Sequence, residues 1–260
     1  MIKQRIFKSL YLGVFCALGI FSCDNNDNSI DRSASLSLTF SHFWDNATLS
    51  SSDFNELIFT TGAGDLLSIE RLRYLISDVQ LVNANNQLTV PHNYNLVDVT
   101  NNQGLTFNLD DNLIEGDYRI QFTFGFNNED NAGNYPDLNS INFNVPEMLG
   151  GGYHYMQLDG KFINSDTEEQ GYNYHTIRAV DISSGAPVFP QDTFFRVDLG
   201  MVSVRNATAV EVRVNLAEWF KNPNTWKLNE LSTILMPNPN AQILMYENGQ
   251  SVFSLGDVTN

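Results

Sequence analysis

The sequence predicts an all-β protein: a single-domain antiparallel β-sandwich with one minor short helix. Three observations carry that prediction. Apolar residues alternate with polar or smaller ones in Leu36-Leu38-Phe40, Tyr118-Ile120-Phe122-Phe124, Tyr153-Tyr155 and Val210-Val212-Val214, the period-two pattern of strands with one buried face. Clusters of Asn, Asp and Gly, such as Asn101-Asn102-Gln103-Gly104 and residues 127–134, punctuate these runs as turns. Aromatic residues make up 12% of the chain, and short strands rich in aromatics between regular turns favour a sandwich.

The chain opens with Lys3, Arg5 and Lys8 before the apolar run Leu10 to Phe21, which ends at Ser22-Cys23. The run is about a dozen residues, short of the roughly 20 needed to span a bilayer. A basic front, a short apolar segment and a small residue before cysteine predict a lipoprotein export signal over residues 1–22, with cleavage and lipid attachment at Cys23. Residues 23–35 are polar and lack apolar periodicity, so they read as a flexible tether. The acidic residues just after Cys23 resemble the surface-export signal of Bacteroidetes lipoproteins. Residues 36–260 contain no linker-like break and are read as one domain.

Removing the signal takes away three basic side chains and no acidic one, leaving 11 Lys and Arg against 30 Asp and Glu. Such an acidic surface excludes nucleic acid as a partner; it could favour cations, and it also suits solubility after export. Of the two cysteines, Cys16 leaves with the signal and Cys23 takes the lipid, so the mature chain has no thiol for a disulfide, a nucleophile or a thiolate metal site.

Along the domain, residues 69–81 are ambiguous by period, but Leu72, Tyr74 and Ile76 alternate with Arg71 and Arg73, which predicts a strand. Asp110 to Glu115 and Glu129 to Asp137 read as Asx turns whose oxygens could face a hard cation, without the spacing of a calcium loop. The polar stretch 164–171 reads as a hairpin loop. Asn215 as N-cap with Glu218 three residues on predicts the short helix Leu216 to Lys221, closed before Pro223.

An ordered set of segments resembles the MbnP-like proteins. It comprises Tyr74-x-Ile76-Ser77-x-x-x-Leu81, Tyr94-Asn95-Leu96-Val97-Asp98, Gly116-x-Tyr118 leading to Phe122-Thr123-Phe124-Gly125-Phe126, Gly152-Tyr153-x-Tyr155-x-x-Leu158-Asp159-Gly160 and Tyr172-x-Tyr174-His175. Val210 to Phe220, and Ala241 to Leu255 as a closing segment, extend the likeness to nearly the whole domain. The resemblance implies an exported β-sandwich, often a Bacteroidetes lipoprotein at the outer membrane. It also implies copper binding through histidine and an oxidised tryptophan, with a MauG-like di-haem peroxidase as partner. The chain departs from the family at Met148-Leu149-Gly150-Gly151-Gly152, where relatives often carry a Trp-x-Trp run.

A copper or zinc site without thiolates needs imidazoles, and the chain has four: His42, His92, His154 and His175. His42 and Trp44, two apart on the first strand, would face the same way, as a ligand beside an oxidisable indole requires; the alternative is a strand-end histidine beside a packing tryptophan. His175, in the family's Tyr-His motif, is either a second metal ligand or a neutral histidine donating to a backbone carbonyl. His154 should face opposite to Tyr153 and Tyr155, and it and His92, in a loop, are read as structural or exposed. Phe43, Trp44, Trp219, Phe220 and Trp226 could form an aromatic binding platform or pack inside.

No nucleophile elbow, zincin helix, phosphate loop or dinucleotide fingerprint is present, so the sequence predicts a binding protein and not an enzyme. The leading expectation is copper acquisition or handling with His42 and His175 as ligands and Trp44 as a site of oxidation. The alternative is a metal-free surface module for a glycan or protein.

Overall fold

The structure, a computed structural model, describes residues 32–89 and 94–260. The expected signal peptide, lipidated Cys23 and His92 lie outside the described residues. Two sheets face each other across one large core. The first holds β1 (Ser33–Trp44), β2 (Ala47–Thr48), β8 (Thr106–Ile114), β13 (Ala207–Asn215) and β14 (Phe253–Thr259), in the order β14-β13-β1-β2 with β8 also on β1. The second runs β12-β9-β5-β10-β4-β3, with β11 beside β10 and with β6 and β7 on β5. Its strands are β3 (Phe59–Thr60), β4 (Leu66–Leu67), β5 (Arg71–Asn83), β6 (Leu88–Thr89), β7 (Tyr94–Asp98), β9 (Gly116–Phe124), β10 (Met156–Ile163), β11 (Glu169–Thr176) and β12 (Phe195–Val204).

The period-two runs build the inter-sheet core: Leu36, Leu38 and Phe40 from β1, Val210, Val212 and Val214 from β13, and Leu72, Tyr74, Ile76, Ile120, Phe122 and Phe124 from β5 and β9. Phe124 stacks on Phe195 at 4.9 Å between centroids and also touches Trp219 and Phe253. Burial of such rings is the main stabilising contribution of the fold.

Four expectations are corrected. The sandwich is mixed, because β1 pairs parallel to β13 from Ser35↔Ala207 to Phe43↔Asn215. β1 begins at Ser33, three residues before the expected domain start, because Ala34 is buried and pairs with Leu113 of β8. Asp110 to Asn112 are not a turn, since β8 runs through them. The closing segment contains a helix, α2 (Pro239–Gly249), capped by the Asn238 side chain with Pro239 in its first turn. A second short helix, α1 (Pro136–Ser140), lies in the 125–155 excursion. The Leu216–Phe220 segment is a 3-10 turn capped by Asn215.

The excursion matters for the site because it covers the outer face of the second sheet. Leu75 of β5, facing away from the main core, packs with Phe126, Leu138, Phe143 and Tyr153 in a smaller cluster. The outer face at β5-β10-β11 is therefore roofed by chain and partly dry.

Candidate functional site

Strand register divides the sequence-predicted ligands. On β5, β10 and β11, Tyr74, Met156 and Thr176 align across the sheet, as do Arg73, Gln157 and His175 one residue away. Because successive side chains point to opposite faces, the first set joins the main core and the second lies outside it. His42 reaches the first set from β1: its Nε2 is 2.9 Å from the Tyr74 hydroxyl. His175 belongs to the second set. The sheet stands between the two, so the structure does not bring His42 and His175 together.

His42 is a buried partner inside an aromatic core. It sits beside Tyr74, which also contacts Phe40, Phe124 and Phe253. Burial pushes its pKa down to about 4 and raises that of the Tyr74 hydroxyl, so both groups are neutral at pH 7. Trp44 turns to the same side of β1, against Phe59 and Phe220, and its indole N–H donates to the Thr60 carbonyl at 3.2 Å. Phe43 faces the other way, under the Arg213 guanidinium.

His175 has a different neighbourhood. Its Nε2 donates to Asp159 Oδ1 at 2.8 Å, since the carboxylate can only accept. Asp159 also accepts from Arg71 Nε and Asn173 Nδ2, each at 2.5 Å. Burial alone would raise the Asp159 carboxyl; the bonds and charge from His175, with Arg71 and Asn173, outweigh it and hold the group well below the usual carboxylate range. The end of β11 is pinned from α2, where Gln242 accepts from the Ile177 N–H and donates to the His175 carbonyl.

His154, which the sequence reading set aside, stands beside His175, with ring centroids 5.2 Å apart and planes at 84°. Its Nδ1 donates to the Phe143 carbonyl at 2.9 Å, which fixes the tautomer. Its Nε2 is therefore a lone-pair nitrogen, and it is buried without a hydrogen-bond partner. Burial lowers the His154 pKa to about 4; His175, Arg73 and Arg71 push in the same direction, against the Phe143 carbonyl. The expectation that Tyr153 and Tyr155 share a face fails here: Tyr153 joins the outer cluster and Tyr155 the main core, because β10 starts only at Met156.

The pair fits a metal ion in one respect and limits it in another. Each ring donates one N–H to an oxygen, the arrangement in which outer partners orient imidazole ligands, and His154 keeps an unpartnered Nε2. Among the described residues no group of three or more His, Cys, Asp or Glu is placed to hold a metal ion. The site offers two imidazoles, beside the fixed positive charges of Arg71 and Arg73. Arg73 is held by Gln157 Oε1 at 2.6 Å and the Ile141 carbonyl at 2.9 Å.

Of the two alternatives for the aromatic residues, packing inside holds for four of the five. Phe43, Trp219, Phe220 and Trp226 are all buried, and Trp226 spends its indole N–H on the Leu231 carbonyl. Trp44 alone of those five remains partly exposed.

These features define an all-β sandwich in which a covered outer face of one sheet carries a pair of histidines. The match to the MbnP family model spans residues 33–237, and the chain belongs to that family. The fold is similar to the solved structure of MbnP from Methylosinus trichosporium, with a TM-score of 0.53 over 86% of this chain and 99% of that one, at 11% sequence identity. No curated protein sequence is significantly similar to the chain.

Proposed function

We propose that this chain is an exported, lipid-anchored protein that handles copper, with Nε2 of His154 and Nδ1 of His175 as the protein's copper ligands. The observation that carries the reading is the buried, unpartnered Nε2 of His154 on a ring beside a second imidazole, whose Nε2 is held by Asp159. A buried polar atom with no partner is costly, and an ion between the two rings would remove that cost. Two imidazoles suit copper. Arg71 and Arg73 penalise added positive charge, which favours Cu(I) over a divalent ion.

The family's association with copper supports the same reading. His42 is excluded from this set by its position in the core. Trp44 stays in the proposal as the tryptophan that a MauG-like di-haem peroxidase would reach, since Trp219 and Trp226 are each only 1% exposed. Export and the outer-membrane anchor rest on the residues leading to Cys23. Intact mass of the mature protein from its own host, with and without Cys23→Ser, tests that anchor: a diacyl or triacyl mass lost in the variant is expected.

The copper reading is tested by competition titration of Cu(I) against a chromogenic chelator. His154→Ala and His175→Ala should each abolish stoichiometric binding, and His42→Gln should leave it intact. Equal affinity in all four proteins would refute the assignment.

A further inference from the structure

A cavity of about 480 Å³ opens between residues 128–139, the turn at 144–153, and Arg178 with Phe189. Neither His154 nor His175 lines it. Its volume falls in the range of small-molecule sites. Gly150, Gly151 and Gly152 line it in succession, at φ of 92°, 67° and 80°, a backbone path that side chains resist. Each is also closely covered. A Cβ on Gly150 would stand 2.4 Å from the Phe189 ring, one on Gly152 2.6 Å from Asn131 Nδ2, and one on Gly151 3.2 Å from a Glu147 carboxylate oxygen. The missing side chain of Gly151 leaves room for the Glu147 carboxylate against the cavity wall.

Two opposite charges line this cavity without partners. The Arg178 guanidinium stacks on Phe189, 3.7 Å from the ring centroid, and its Nε is buried with no hydrogen bond. In a chain with 30 acidic and 14 basic residues, Arg71, Arg119, Arg205 and Arg213 each have a carboxylate. Among the described residues neither Arg178 nor Glu147 has an ion pair, although both line the cavity.

Charge selects the ligand class. A simple anion would meet Arg178 but be repelled by Glu147, and a simple cation the reverse. A sugar would want an open aromatic face, and the Phe189 face is taken by the guanidinium. A molecule with both a carboxylate and an ammonium group satisfies both walls through charge-assisted hydrogen bonds, leaving the Asn144 carboxamide and Nδ2 of Asn131, whose Oδ1 accepts from the Tyr153 N–H, for an amide or polar side chain. We infer that this cavity binds a small zwitterion of the amino-acid or short-peptide class, its carboxylate on Arg178 and its ammonium on Glu147.

The test is isothermal titration of the metal-free mature protein with L-alanyl-L-alanine, its N-acetyl form and its C-terminal amide, with thermal unfolding in parallel. Saturable binding that raises Tm is expected, weakened about tenfold or more by either cap. Glu147→Gln should erase the penalty for N-acetylation and Arg178→Gln the penalty for the amide. Glu147 is exposed, so its variant keeps the fold even if Arg178→Gln weakens the packing on Phe189. No saturable binding by the dipeptide, capped forms that bind as tightly as the free dipeptide, or a Glu147→Gln protein as selective as wild type would each overturn the inference. None of these outcomes bears on copper, because His154 and His175 are untouched.

Discussion

The two faces of the same three strands, β5, β10 and β11, put histidine to opposite uses. On the inner face His42 is buried among aromatic rings, and its Nε2 is committed to the Tyr74 hydroxyl. On the outer face His154 is as buried, yet its Nε2 has no partner, and the neighbouring His175 is oriented by a carboxylate that is itself held by Arg71 and Asn173. Burial pushes both His42 and His154 down to about 4, so titration alone does not distinguish them. Spare coordination does. A histidine whose hydrogen bonds are closed within the core stabilises the fold, and a buried histidine with an unpartnered nitrogen beside a second imidazole is available to a ligand.

The sharpest way to break this comparison is to damage one face and read the other. Phe124→Ala should cost the most, about 3–5 kcal/mol by the usual cost of truncating a packed phenylalanine, because Phe124 joins Phe195, Trp219 and Phe253. Urea unfolding measures that loss. Copper affinity of the folded fraction should stay unchanged; a parallel loss would mean that the outer pair is not independent of the core.

Acid probes both faces together. A histidine whose folded pKa is depressed binds its proton more tightly when unfolded, so its stabilising contribution is complete above about 6.5. It is then lost as pH falls toward about 4. Each of His42 and His154 would contribute up to about 3 kcal/mol across that window. Unfolding free energy measured from pH 7.5 to 4.5 should therefore fall steeply, and His42→Gln should remove about half of the slope. An unchanged slope would mean that His42 is not buried neutral. Saturating Cu(I) should steepen the remainder, because the ion and the proton compete for His154.

Asp159→Asn separates orientation from ligation. The amide keeps the size of the carboxylate but weakens its hold on His175, and loss of such an outer partner typically costs about 10–100-fold in metal affinity. A smaller effect than His175→Ala is expected in the chelator titration. An affinity equal to wild type would show that Asp159 serves only Arg71 and Asn173.

What the sequence revealed follows the same divide. The inner face was legible because alternation in Leu72-Tyr74-Ile76, Ile120-Phe122-Phe124 and Val210-Val212-Val214 directly encodes one buried side. The outer face was not, because its burial comes from a distant excursion: Phe143 supplies the carbonyl for His154, and no local spacing announces that contact. The contact of His154 with His175 was hidden for this reason, and because alternation does not extend back through Tyr155 and Tyr153. The parallel pairing of β1 with β13 depends on topology that periodicity does not carry. α2 was missed because its buried positions include Gln242, Asn248 and Gly249, so it lacks an apolar stripe; the Asn238-Pro239 start signal was present, and a search for caps would have found it.

The smallest predicted effect tests whether α2 belongs to the outer site. Asn238→Ala removes the side-chain acceptor for the Ala241 N–H and should cost about 1 kcal/mol of stability, as helix caps do. The first turn it frays lies just before Gln242, which holds the Ile177 N–H and the His175 carbonyl. If that grip survives, copper affinity stays at the wild-type value while the urea midpoint drops slightly. If instead affinity falls together with stability, His175 is positioned from both sides of its strand, by Asp159 through the ring and by α2 through the backbone. A Gln242→Leu variant then settles which contact dominates: affinity lost in Gln242→Leu but retained in Asn238→Ala assigns the effect to the two glutamine hydrogen bonds and not to the helix as a whole.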